Sequence, residues 1–261
     1  MSKIVTIVSK EWAEVFRNRL VLFSVLFLPL LFVALPLISV GVMEGASSDF
    51  SDGGDPIPGA EVLCQGLDEI ECVQVYTLDI FTLMFMILPV MIPVTIAAYS
   101  IVGEKTVRSL EPLLATPITT TELVVGKMLA ALIPAVLATW LAYGLYVIGV
   151  NLLTTSNVAA RLVEPLWIIA VFVVGPLLAL LSVCIAIMVS SRVSDPRVAE
   201  QLSGVVLLPL VLLIIGQSIG FIILERDIVL LVAVVALVID IVLVILAVRL
   251  FERETILTKW K

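Results

Sequence analysis

Histidine is absent from the 261 residues, which removes the commonest metal ligand and the usual proton shuttle of catalysis near neutral pH. Charged residues make up only 14% of the chain and aromatic residues 7%, whereas 61% are hydrophobic. Mean hydropathy is +1.23. A soluble domain of this length could not hide so much apolar surface in one core, but lipid can cover what a fold leaves outside. Soluble enzymes, nucleic-acid binders and disordered chains are excluded on that ground. A net charge of −7 and a pI near 4.7 argue a second time against nucleic acid as a partner. Three cysteines are too few for a disulfide scaffold.

What the chain has instead is long apolar runs. A bilayer core about 30 Å thick needs about 20 apolar residues in a helix. That ruler predicts an all-α integral membrane protein with six transmembrane helices over Leu20–Val42, Leu78–Val102, Met128–Val150, Leu166–Ser190, Leu202–Leu224 and Ile228–Leu250. The first run is longer than the apolar region of a signal peptide and is expected to be retained.

Basic residues set the orientation. They fall in residues 1–19, between spans two and three, between spans four and five, and in the C-terminal tail; only Arg161 and Arg226 lie on the other side. Both termini are therefore expected to be cytoplasmic, in a multi-pass protein of the cell membrane. Residues 20–261 form the six-span domain. Its loop 43–77 carries no Lys or Arg but holds Glu44, Asp49, Asp52, Asp55, Glu61, Asp68, Glu69 and Glu71, an acidic external segment. Cys64 and Cys72 share that loop on the oxidising side, where a disulfide and two unpaired thiols are both open readings.

Residues 1–19 read as an amphipathic helix on the cytoplasmic face, with Ile4, Val8, Trp12 and Val15 at helical spacing and Lys3, Lys10, Glu14 and Arg17 on the remaining surface. Membrane lipid is its expected partner, with Trp12 at headgroup depth.

The cytoplasmic elbow 103–127 is the most informative stretch. Ser109 is placed to cap a short helix with Pro112 in its first turn, and Leu110, Leu113 and Leu114 share one apolar face. Pro117 ends that helix, and Thr119 with Glu122 forms a capping box for a second helix leading into span three. Such a ridge suits either a protein interface or a loop whose leucines dip into lipid.

The run Gly-Glu-Lys (103–105), Ser-Leu-Glu-Pro-Leu-Leu-Ala-Thr-Pro (109–117), Glu-Leu (122–123) and Gly-Lys (126–127) resembles the signature of ABC-2 type transporter permeases, most closely the sodium-efflux and drug-export type. The resemblance extends over the whole layout: N-terminal amphipathic helix, six spans, a large external loop after the first and this elbow after the second. It implies a permease in a homo- or heterodimer, each copy docked on a separate cytoplasmic ATPase subunit. The elbow would be the coupling helix, with Glu104 and Lys105 bracing the base of span two, and Leu110, Glu111, Leu113 and Leu114 touching the ATPase. This chain would not itself be an enzyme and would carry no cofactor, ATP and Mg residing on the partner. Gly126-Lys127 is no phosphate loop, because Met128 replaces the Ser/Thr and Thr121 the first Gly. Between spans five and six only Gly216 to Asp227 is available for the re-entrant helices of family members, which leaves room for at most a half-helix.

Inside the membrane, Asp240 near the middle of span six reads either as a cation or proton site on the transport path or as a hydrogen-bonded structural group. No basic residue lies at mid-depth, so an intramembrane ion pair is not expected. Prolines interrupt five spans; Pro89 and Pro93, one turn apart above the elbow, are the candidates for transmitting motion. The expected substrate is a hydrophobic drug, lipid, peptide or Na⁺. An ion-gradient-driven transporter using Asp240 is the alternative, although no repeat between halves is visible. Intramembrane proteolysis is disfavoured without His and with Asp79 and Asp240 at different depths.

Overall fold

A computed structural model describes residues 3–45, 64, 66–106, 118–222 and 224–250, and these contain helices and no strand. The N-terminal helix, Lys3–Val15, turns at Asn18 into span one, Arg19–Gly45. Span two is two helices, Glu69–Phe85 and Leu88–Thr106. Span three is the single helix Thr120–Leu153. Span four is assembled from Ser156–Leu162, Pro165–Ile169, a wide π-helical turn Ala170–Val174, and Gly175–Ser190. Span five comprises Pro196–Ser203, a tight turn Gly204–Val206, and Leu207–Ser218. Span six is Arg226–Leu250. Six helical stretches are long and apolar enough to cross a bilayer.

Helix bounds differ from the apolar runs where polar residues continue a helix. Glu69–Thr77 belongs to span two and not to the loop: the Asp68 amide donates to Glu71 Oε2 at 3.3 Å, and Gln74 is buried although polar. Span four likewise begins ten residues before Leu166, at Ser156. Span five starts earlier and stops at Ser218, where the chain folds back with Gly220 at φ 73° and the Phe221 amide bonded to the Gly216 carbonyl. Among the described residues no re-entrant helix lies between spans five and six.

Prolines account for the breaks. Pro89 has no N–H to offer the Phe85 carbonyl, and its ring crowds that carbonyl, so the first half of span two ends at Phe85. Pro176 does the same in the middle of span four, where the helix widens and the Gly175 amide bonds five residues back to Ala170. The two irregularities adjoin: a Cβ on Gly175 would lie 3.9 Å from Pro89 Cγ.

Carbonyls freed this way have no water to turn to inside a bilayer and must be answered by side chains. Trp12 Nε1 donates at 2.9 Å to the carbonyl of Ala130, four residues before Pro134. Trp140 Nε1 donates at 3.3 Å to Val171, five before Pro176. Tyr143 and Tyr76 donate at 2.6 Å and 3.0 Å to carbonyls at helix ends, those of Leu162 and Ser218. Trp12 is half-buried against span three.

Span two is the centre of the bundle. Its second half packs on spans three and four, and span one lies along span three. Phe85 stacks on Tyr146 and meets Tyr143 and Phe32 edge-on, forming a packed aromatic cluster.

Candidate functional site

The N-terminal helix buries Ile7, Glu11 and Val15, a stripe with a carboxylate in its middle. Gly126 on span three lets this stripe approach, since a Cβ there would come within 2.8 Å of Ile7. One residue on, Lys127 reaches Glu11 Oε1 at 2.8 Å, with both side chains almost wholly buried. Lys127 Nζ also donates to Ser100 Oγ at 3.0 Å, and the Ser100 hydroxyl donates to the other Glu11 oxygen. Three elements are thus closed into one ring of charge-assisted hydrogen bonds: the N-terminal helix, the second half of span two and the start of span three. Removing one partner of such a pair costs about 3–5 kcal/mol, because the other charge is left buried and unpaired.

This ring sits where the elbow leaves and rejoins the bundle. Thr119 caps span three by accepting from the Glu122 amide at 3.2 Å, while Glu122 Oε2 accepts from the Thr119 amide at 2.8 Å. Lys3 on the N-terminal helix pairs with Glu122 across the surface at 3.5 Å. Farther along span two, Thr95 donates at 2.6 Å to Glu200 on the short helix that opens span five, and Ala98 and Val102 pack on Ala199 of that same helix.

The opposite end is held differently. Cys64 and Cys72 are joined in a disulfide that ties the loop to the first turn of span two. Asp79 is buried and accepts from Trp167 Nε1 of span four at 3.0 Å. Thr155 donates to Glu71 at 2.6 Å. Between spans two, four, five and six runs an apolar groove of about 500 Å³, lined among others by Leu83, Val90, Val174, Leu178, Leu210 and Val232.

Of the residues singled out from sequence, Pro89 and Pro93 stand at the break of span two and inside its second half. Asp240 lies buried between spans four and six. The ends of Glu104 and Lys105 fall outside what the structure describes, their backbone closing span two; Leu110, Glu111, Leu113 and Leu114 lie outside the described residues altogether. Glu11–Lys127 is a buried ion pair at the foot of span three, outside the mid-depth region where none was expected. Glu11 escaped notice because it stands among Lys10 and Glu14 in a charged segment; its i, i+4 spacing from Ile7 and Val15 was the available signal. Asp79 and Glu200 had no local signal, since their partners are 88 and 105 residues away. No cluster of residues fit to hold a metal occurs among the described residues.

Helices of this length and composition, packed around a buried central span, define a multi-pass α-helical membrane protein. The family model of the ABC-2 family transporter protein matches residues 5–233, and the chain belongs to that family. It is thus a membrane-spanning permease component of the ABC transporter class. No curated protein matches the chain. The matched region contains Glu11, Ser100, the elbow and Lys127, and it ends before Asp240.

Proposed function

We propose that this permease is the membrane subunit of an ATP-driven exporter in the cell membrane, with both termini cytoplasmic and the elbow 103–127 seated on a separate ATPase subunit. ATP and Mg would be held by that partner, and a second permease copy would complete the path. Glu104 and Lys105 brace the base of span two, and Leu110, Glu111, Leu113 and Leu114 take the push. The Glu11–Lys127–Ser100 ring is what supports this reading most: it clamps both arms of the elbow to one another and to the N-terminal helix, so a displacement of the elbow is passed on as movement of a rigid foot. Pro89 and Pro93 would then let the far half of span two, and the adjoining wide turn of span four, respond by bending. The wholly apolar groove favours a hydrophobic drug, lipid or peptide over Na⁺.

The test is purification in mild detergent from native membranes. A stoichiometric ATPase subunit is expected with the wild-type chain and is expected to be lost with Leu113→Asp, while the variant's unfolding temperature stays unchanged. An ATPase that remains bound to the variant argues against the elbow as its seat. Asp240, buried without a partner, favours a second reading, transport driven by an ion gradient. Transport by the chain alone in sealed vesicles, abolished by an ionophore, would establish that alternative.

A further inference from the structure

Asp240 is 1% exposed, and neither of its carboxyl oxygens has a hydrogen-bond partner. It shares the buried face of span six with Val229, Ala233, Ala236 and Ala247, a face laid along Gly175–Ser190 of span four. At 1.5 Å per residue it lies about 21 Å from Arg226 and about 15 Å from Leu250, hence near the middle of an apolar layer about 30 Å thick. Because it is buried within one chain, a second copy cannot reach it without parting these two spans.

Among the described residues no cation is placed against it. On the facing stretch of span four Cys184 is the titratable group nearby. The segments Pro165–Ile169 and Ala170–Val174, which also touch span six, carry no titratable side chain. Glu164, at the head of the first, is paired with Arg161. On span three, Tyr143 and Tyr146 stand by Asp79, and Lys127 is engaged with Glu11. An ionised carboxylate in such surroundings is not sustained; it neutralises by taking up a proton or a cation. A hard metal cation wants several oxygen ligands, and no group of three or more acidic, cysteine or histidine side chains that could hold one occurs among the described residues. A proton needs just one.

We propose that Asp240 is a proton-binding site: its carboxyl carries a proton while spans four and six are packed and gives it up to water when the seam between them opens. The packed state therefore holds one more proton than the open state, so acid favours packing and alkali favours opening. This holds whether or not an ATPase drives the opening, and so does its test.

The experiment is infrared spectroscopy of the full chain in lipid nanodiscs at neutral pH, with the aspartate carboxyl carbons isotope-labelled. An Asp79→Asn background leaves Asp240 as the one buried aspartate among the described residues. One labelled carbonyl band of a protonated acid is expected, lost in Asp79→Asn/Asp240→Asn and unmoved when Na⁺ replaces K⁺. A difference made only of carboxylate bands overturns the proposal, and so does a protonated band that vanishes with Na⁺, which would mark a cation site. If the double variant fails to fold, the single background still decides: a protonated aspartic-acid band must persist at a pH where the surface aspartates have ionised.

Discussion

Spans two and five have nearly the same mean hydropathy, yet 72% of the apolar stretch of span two is buried within the chain against 11% of that of span five. Apolar character therefore does not choose which helix becomes the centre. In a bilayer it has no reason to, because lipid is as apolar as leucine and association rests on packing and hydrogen bonds between helices. Span two carries Tyr76, Asp79, Thr95 and Ser100, each bonded to another element. Span five answers with Glu200, which accepts from Thr95, and with the Ser218 carbonyl, which accepts from Tyr76, while its buried Gln217 keeps an Oε1 without a partner. Its Leu208, Leu212 and Ile215 face outward, towards lipid or another chain. The contrast separates a bundle core linked by polar groups along its length from a peripheral helix that is tied to span two near its two ends and is apolar between them.

The sharpest way to break that contrast is at the ring. Lys127→Met should lower unfolding stability in detergent by up to about 3–5 kcal/mol, because the buried Glu11 loses its nearest cation and keeps only Ser100 and the half-exposed Lys10 at 3.6 Å, and Glu11→Leu/Lys127→Met should recover most of the loss. A single variant as stable as wild type would show that polar links do not hold the core. Next in size, Trp12→Phe should cost about 1–3 kcal/mol by leaving the Ala130 carbonyl unanswered. Pro134→Ala should rescue it by restoring a backbone N–H at that place, as read by proteolysis of the N-terminal helix; no rescue would mean that packing, not the carbonyl, seats Trp12. Smallest of all, Leu212→Ala should change the unfolding of the monomer by no more than about 0.5 kcal/mol. A loss as large as that of Lys127→Met would erase the distinction between core and periphery.

Much of this architecture was legible beforehand, and for reasons that can be named. The apolar runs locate six spans because only a helix satisfies its own backbone in lipid. The Thr119–Glu122 box marks the start of span three because both groups of the motif are local. The Gly126-Lys127 pair was visible as a motif, but its meaning came from the fold: the glycine admits Ile7 and the lysine answers Glu11. The helical extensions at Glu69 and Ser156 were illegible to a hydropathy ruler, because polar residues there continue the helix into contact with other elements.

By itself, the sequence determined six helices long and apolar enough to cross a membrane and the capping box that starts span three, since each depends on residues close together in the chain. Which span lies at the centre, which tryptophan answers which proline, and which acid finds a lysine while Asp240 finds none were decided only by tertiary structure. Those pairings join residues from 31 to 142 positions apart, and no local pattern encodes a partner at that range.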